Sequence, residues 1–138
     1  DSEEYVHTIF TAHSIPAESL AFGDPYAEEF DKTVKKLIER VQPKRWFKAY
    51  QSQGMIPIPW LGPTVEMVLD KIARQGSKTV LIVPVGFVCD HVEILFDIDI
   101  EFNKYAKDRK LSLHRTESLN LSPTFVETLA SVTWENLV

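Results

Sequence analysis

Apolar residues in this chain follow two patterns, and the two patterns alternate along its length. Short runs rich in β-branched and aromatic side chains predict strands at residues 6–11, 45–50, 78–85 and 111–114. Stretches in which apolar residues recur every three or four positions predict helices at residues 24–42, 65–76, 90–107 and from 122 onward. Because parallel strands need crossover connections, this alternation predicts an α/β fold with a four-stranded parallel sheet and helices on both faces.

The same patterns predict which side chains are buried. Residues 78–85 are almost all apolar, which indicates a strand covered on both faces. The helical spacing predicts a buried stripe on the first helix (Phe30, Val34, Leu37, Ile38, Val41), and the last predicted helix bears Phe125, Leu129 and Val132. On the exposed side of the first helix, we expect ion pairs between residues four apart, Glu28 with Lys32 and Asp31 with Lys35.

Three loops follow the carboxyl ends of predicted strands, and they begin at His13, Gln51 and Gly86. Ligands of open α/β sheets bind at this edge, so we expect all three loops to face one crevice. The loop at residues 51–63 holds three prolines, two glycines and Trp60, and a loop of this length usually has a function. It could seat a planar ligand or be anchored by a buried tryptophan, and composition leaves both possibilities open.

Composition and charge narrow the class of protein. The 138 residues suit one domain, and 44% hydrophobic with 25% charged residues is typical of a folded globular chain. A net charge of -5 is unfavourable for binding nucleic acid or anionic lipid, and no apolar run approaches the ~20 residues of a membrane span. We therefore expect neither nucleic acid nor anionic lipid as a partner, and no membrane span. The single cysteine, Cys89, and the acidic start favour a cytoplasmic location.

His13 is the first candidate for chemistry. Its imidazole, with an ordinary pKa near 6.5, can accept a proton or bind a transition metal near neutral pH. A lone histidine in a loop is more often a surface or hydrogen-bonding residue, so His13 alone does not decide the function.

The third loop leads into an unusual density of carboxylates. Glu93, Asp97 and Glu101 recur every four residues and would share one face of an α-helix, with a drift of about 40° per step. Like charges at this spacing cost about 0.2–0.5 kcal/mol per pair, so solvation, a cation or a function should offset them. Asp90 and Glu93 also resemble a capping box. A helix cap, a solvated face and a path for metal or protons therefore remain alternatives.

Three ordered motifs resemble those of the ferrochelatase family. They are Ala12-His13-Ser14-Ile15-Pro16 with Gly23-Asp24-Pro25-Tyr26, Gln51-Ser52 with Pro59-Trp60-Leu61-Gly62-Pro63, and Val83-Pro84-Val85-Gly86-Phe87 with Asp90-His91-Val92-Glu93. A fourth match is Glu117-Ser118-Leu119-Asn120. The resemblance covers almost the whole chain but only the carboxyl-terminal half of the two-lobed family. It implies that residues 1–138 form one chelatase-like lobe of the flavodoxin or Rossmann-like kind.

The resemblance implies a lyase that inserts ferrous iron into a porphyrin in haem biosynthesis. It assigns His13 and Glu93 as catalytic residues that handle the metal and the pyrrole protons. It adds Asp97 and Glu101 as metal ligands, and it makes these two carboxylates, together with His91, a route for metal or protons. The isolated half could be inactive on its own.

The resemblance leaves the porphyrin open. Residues 51–63 look like the type that uses coproporphyrin III, whereas residues 117–120 look like the protoporphyrin IX type, and Ser52 and Trp60 are implied to contact the macrocycle. Some family members carry an iron–sulfur cluster, but Cys89 lies where many have serine or alanine. We therefore expect no permanently bound cofactor, and Fe2+ as a substrate. We expect Cys89 to be a small buried hydrophobic residue.

A planar macrocycle needs a wall on each side to lose most of its water. The expected partners are therefore porphyrin, ferrous iron, and either the missing amino-terminal lobe or a second copy of the chain. The alternatives are a non-catalytic lobe that binds metal or tetrapyrrole, and a homodimeric short chelatase that acts on another tetrapyrrole. A receiver-like or flavodoxin-like interaction domain is disfavoured because neither an acidic pocket after the first strand nor a phosphate-binding loop is present.

Overall fold

Four strands form one parallel sheet in a computed structural model that describes residues 5–137. The strands are β1 (His7–His13), β2 (Arg45–Gln51), β3 (Thr79–Val83) and β4 (Ser112–Arg115). Their order is β2-β1-β3-β4, and every adjacent pair is parallel. The predicted sheet is confirmed, although His13 is the last residue of β1 rather than part of the loop that follows.

Helices connect the strands and follow the last one. Along the described chain they are a 3-10 helix (Ala17–Phe22), α1 (Tyr26–Val41), α2 (Val65–Arg74), α3 (Val92–Leu95), a π-helix (Asp97–Phe102), α4 (Asn103–Lys107) and α5 (Pro123–Leu137). Local signals set two of the starts, since Asp24 Oδ1 accepts the Tyr26 amide and Thr64 Oγ1 accepts the Met67 amide. No helix within residues 5–137 is both long and apolar enough to cross a membrane.

Helices pack on both faces of the sheet, as predicted, and β1 separates two apolar cores. Ile9 joins β3, α2 and the helical stretch of residues 92–107 in the larger core. Phe10 and Ala12 point the other way and join α1 in the smaller core. Because β1 is buried along nearly its whole length, its carboxyl end at His13 has a fixed position.

Strand β3 is less covered than the sequence predicts. Val80 and Ile82 are fully buried, but Thr79, Leu81 and Val83, which alternate with them along the strand, are only half-buried. The smaller core draws on α1 and on no residue of α5, so the second face of β3 remains partly open.

Helix α5 forms where it is predicted, but its apolar residues are not buried. Phe125 is half-buried, while Leu129 is 51% and Val132 53% exposed, and none of residues 123–137 is buried. Val41, at the end of α1, is also exposed rather than buried. The expected burial of Val41 is therefore wrong.

One of the two predicted ion pairs on α1 forms. Lys32 Nζ lies 2.8 Å from Glu28 Oε1 and also contacts Glu29. Asp31 pairs with Lys48 on β2 instead of Lys35, because helix spacing alone does not reveal which charges a neighbouring strand presents.

We expect Ile82→Ala to lower the free energy of unfolding by about 2–5 kcal/mol, since Ile82 is fully buried in the larger core and its loss leaves a cavity. Urea denaturation measures the change. Val126→Ala on the exposed α5 is the control and should stay within about 0.5 kcal/mol of wild type. Equal losses in the two variants would contradict this assignment of the core.

Candidate functional site

The three loops meet at the carboxyl edge of the sheet, as predicted. From β1 the chain continues to β2 on one side of the sheet and then to β3 on the other, so connections diverge beside β1. Such a point leaves a crevice where α/β proteins bind ligands. A cavity of about 720 Å³ lies there, and its lining includes His13, Gln51 and Ser52 together with Glu93 from the third loop.

His13 and Glu93 come together in this cavity although they are 80 positions apart in the sequence. His13 Nε2 lies 3.1 Å from Glu93 Oε1, and the two side chains are 34% and 36% exposed. The pair is therefore shielded on one side by protein and reachable from the cavity on the other.

The two ring nitrogens of His13 face different acceptor atoms. His13 Nδ1 lies 2.5 Å from the Ser14 carbonyl oxygen, which can only accept, so Nδ1 carries a hydrogen. In a neutral imidazole Nε2 would then be an acceptor that faces a second acceptor, Glu93 Oε1. The 3.1 Å contact needs one proton, either on Nε2 or on the Glu93 carboxyl. A divalent cation at this point would take the place of that proton.

The backbone around His13 is tied to neighbouring elements. The Tyr26 hydroxyl donates to the His13 carbonyl oxygen at 2.9 Å, and burial raises the pKa of Tyr26, so the hydroxyl keeps its proton. The Ser14 amide donates to the Gln51 carbonyl oxygen at 2.7 Å, and the Ser14 hydroxyl donates to the Leu61 carbonyl oxygen at 2.8 Å. The histidine is therefore held from both β2 and the loop that follows it.

Glu93 is held through its backbone while its carboxylate stays available. Its amide donates to His91 Nδ1 at 3.2 Å, so His91 caps α3, and its carbonyl oxygen accepts from Gln51 Nε2 at 3.2 Å. The capping box suggested for Asp90 and Glu93 is wrong, because the Glu93 side chain faces His13 rather than the helix start. Gln51 is 2% exposed, and its Oε1 has no partner among the residues that the structure describes.

Gly86 brings the third loop close to β1. Its amide donates to the Thr11 carbonyl oxygen at 3.0 Å, and a Cβ at this position would lie 2.9 Å from Ala12 Cα. Any side chain would push the loop away from the strand that carries His13. Phe87 follows and lies between the two histidines, with ring centroids 6.4 Å from His13 and 5.1 Å from His91.

The acidic row of Glu93, Asp97 and Glu101 lines the cavity, but the helix that carries it is not regular. The Glu101 amide donates to the Phe96 carbonyl oxygen, five residues back, at 3.1 Å, which defines a π turn. Four residues of an α-helix rotate about the axis by more than one full turn. Four residues of the wider π turn rotate by less than one full turn. The predicted drift therefore does not accumulate, and Glu66 of α2 adds a fourth carboxylate to the lining.

The remaining predicted site residues take different positions. The Ser52 hydroxyl donates to Asp97 Oδ2 inside the cavity. Trp60 is half-buried and does not line the cavity. Its ring packs directly against Gly54, where an added Cβ would lie 2.6 Å from the ring. Cys89 is exposed, so its predicted burial is wrong.

Two side chains of the site, His13 and Glu93, have the chemistry to bind a divalent metal. Among residues 5–137 no three His, Cys, Asp or Glu side chains group closely enough to hold an ion. His13 and Glu93 supply two donors of the types that divalent iron accepts, and the other ligands must come from water or a bound molecule.

A model of the ferrochelatase family matches residues 1–137. The chain belongs to the ferrochelatase family. A ferrochelatase of Herpetosiphon aurantiacus is 46% identical over 132 residues, which cover 96% of this chain and 43% of that protein. A ferrochelatase of Deinococcus radiodurans is 42% identical, with 96% and 42% covered. The coproporphyrin III ferrochelatase of Oceanobacillus iheyensis is 38% identical, with 90% and 40% covered. This ferrochelatase-family chain thus spans less than half the length of these relatives.

The fold also matches a solved structure. A chain from Marinobacter aquaeolei VT8, named as a CbiX protein of cobalamin (vitamin B12) biosynthesis, superposes with a TM-score of 0.67. The match covers 96% of this chain and 97% of the other at 16% identity, so it supports the fold alone. The predicted α/β fold with a four-stranded parallel sheet is confirmed.

Sequence reasoning gave no role to three residues of this ferrochelatase-family site. Tyr26 and Gln51 stood in the quoted motifs, but the sequence could not show that they bind the backbones of His13 and Glu93. Glu66 gave no signal, since an acidic residue in a first helical turn is common.

We expect Glu93→Gln to weaken the binding of Zn2+, used as a redox-stable probe, by at least about tenfold, because the variant keeps the size of the side chain but removes its charge. Isothermal titration calorimetry measures the affinity, and urea denaturation should show little change in stability. The control is Glu127→Gln on the exposed α5. Loss of stability with unchanged affinity would indicate a purely structural Glu93.

Proposed function

We propose that this chain forms one wall of a site that inserts ferrous iron into a porphyrin. Membership of the ferrochelatase family supports metal insertion into a tetrapyrrole. The observation that carries the proposal is the His13–Glu93 pair, 3.1 Å apart beside a 720 Å³ cavity at the carboxyl edge of the sheet.

The chemistry asks for a base and a metal donor. Insertion releases two pyrrole protons for each divalent ion, so charge balances when Fe2+ enters the ring and two protons leave. Once its shared proton is lost, the His13–Glu93 pair can accept one proton at Nε2 or bind iron through Nε2 and a carboxylate oxygen. Since one nitrogen lone pair cannot do both at once, the pair handles metal and protons in turn.

The acidic row would serve as the route by which protons leave and metal arrives. Asp97 and Glu101 continue from Glu93 along the cavity, and Glu66 faces the same space. Four carboxylates in one cleft attract divalent cations and favour proton transfer to solvent. His91 would join this route at its inner end, since its Nδ1 lies 3.8 Å from Glu93 Oε2.

The porphyrin would enter the same cavity, with protoporphyrin IX and coproporphyrin III both as candidates. Ser52 lines the cavity, and Trp60 supports its rim through Gly54. We propose Ser52 as a direct contact and Trp60 as a contact at the rim. One relative is named for coproporphyrin III, while two with higher identity are named ferrochelatase without a porphyrin, so both substrates belong in the assay.

A second wall is needed, and we propose that an amino-terminal lobe provides it, with a second copy of the chain as the alternative. The relatives are about twice as long as this chain. Two surfaces could meet such a partner, the exposed apolar side of α5 and the half-covered face of β3.

We further propose that the reaction belongs to haem biosynthesis in the cytoplasm and that the chain holds no resident cluster. Cys89 is its one cysteine, and a single thiolate cannot anchor an iron–sulfur cluster alone. A lobe that binds metal or tetrapyrrole without turnover and a homodimeric short chelatase for another tetrapyrrole are the competing functions. Both would keep the His13–Glu93 geometry but would not metallate the two candidate porphyrins.

We expect His13→Ala to reduce iron insertion by about 10²–10⁴-fold, the range for losing a general base. The assay is porphyrin metallation with Fe2+, followed by absorbance, in a two-lobed protein that includes this chain. His114→Ala is the matched control, because His114 is an exposed histidine on β4 away from the cavity. Unchanged turnover in His13→Ala would remove this imidazole from the mechanism.

We expect the isolated chain to sediment as a 15.8 kDa monomer at micromolar concentration, because the proposed partner is another lobe. Analytical ultracentrifugation measures the mass. A species of twice that mass that metallates a tetrapyrrole would favour the homodimeric alternative over the missing lobe.

A further inference from the structure

The segment after β4 contacts the loop that leads into α3 and Glu93, although it lines no part of the cavity described above. The Ser118 hydroxyl donates to Asp90 Oδ1 at 2.7 Å, and Asn120 Nδ2 donates to Asp90 Oδ2 at 3.1 Å. In return, the Asp90 amide donates to Asn120 Oδ1 at 2.9 Å. We call Asp90, Ser118 and Asn120 the Asp90 clasp.

Asn120 also bonds the loop at a residue before Asp90. The Asn120 amide donates to the Val88 carbonyl oxygen at 3.0 Å, so one asparagine bonds the loop at two positions. Asn120 has φ of 45°, a left-handed conformation that asparagine adopts more readily than most residues. Arg115 extends the connection, since it makes two bonds of 2.7 and 3.0 Å to Asp99 in the π-helix and lies 3.5 Å from Asp90.

These contacts bear on Glu93 because of where the loop leads. Two residues separate Asp90 from Glu93, and the Glu93 amide already bonds His91 Nδ1 in the same turn. His13 is held independently on β1, so the distance between the two side chains depends on how the loop is fixed. The Ser118 hydroxyl and the Asn120 amide hold the pKa of Asp90 below its usual range, which keeps the carboxylate ionised as an acceptor.

We propose that Ser118 and Asn120 are positioning residues that act through Asp90 to hold Glu93 against His13. Neither of them lines the cavity of His13 and Glu93. The inference rests on the proposed function, in which the His13–Glu93 pair handles the metal. It gives a role to the Glu117–Asn120 motif, which does not line the cavity.

The test uses the full 138-residue chain with Zn2+ alone as the probe. Ser118→Ala removes one bond to Asp90, and Asn120→Gly removes the amide while tolerating the left-handed backbone. We expect each to weaken His13-dependent Zn2+ binding by about 3–10-fold, less than the loss of a group that bonds a ligand directly. Amide exchange should accelerate at residues 91–95 and stay unchanged in β1.

Two further variants separate positioning from general stability. Ser118→Thr keeps the hydroxyl and should restore both readouts, since Ser118 is only half-buried and a methyl can be accommodated. Ser112→Ala removes a hydroxyl on β4 that contacts His114 rather than Asp90, and it should change neither readout.

Unchanged Zn2+ affinity and unchanged exchange at residues 91–95 in Ser118→Ala and Asn120→Gly would overturn the proposal. Lower stability with wild-type affinity would overturn it too, because the clasp would then be structural only. If wild-type chain bound no Zn2+ through His13, the proposed function would fail instead. Exchange at residues 91–95 would then decide by itself whether the clasp holds the Glu93 turn.

Discussion

The pairing of β1 on both sides is the constraint on which the site depends. His13 lies opposite Gln51 of β2, whereas β3 ends opposite Phe10, three residues earlier on β1. The chain that leaves β3 must therefore run along the end of β1 before it reaches the level of His13. Gly86 makes that approach possible, because its lack of a side chain lets the loop lie directly on Ala12. Glu93 arrives beside the imidazole as a result of strand register.

Negative charge is concentrated at this meeting point. His13 Nε2 lies 3.1 Å from Glu93 Oε1, and three more carboxylates line the same cavity. A cation entering this space gains from all of them, while the proton it displaces has acceptors nearby. In the proposed function, water or a bound molecule would complete the coordination of an ion that this pair binds.

Periodicity and strand-forming residues predict the sheet, the helices and the edge where the loops meet, because each is a local property of the sequence. Pairings between distant segments are not local. Nothing in the sequence indicates that Asp90 would bond Asn120 rather than cap a helix, or that Asp31 would pair with Lys48 rather than Lys35. The exposure of Leu129 escapes prediction for another reason, since helical spacing marks an apolar face but does not say what covers it.

The π-helix resolves a conflict of register between two surfaces. Ahead of it, Glu93 must face the cavity, and beyond it Ala106 must face the larger core. Each residue of an α-helix turns the chain by about 100°, so adding or removing one residue would rotate everything that follows by that angle. The wide turn at residues 97–102 absorbs such a mismatch within one helical stretch. Deleting a single residue there would swing α4 out of the core while leaving the residues before it in place.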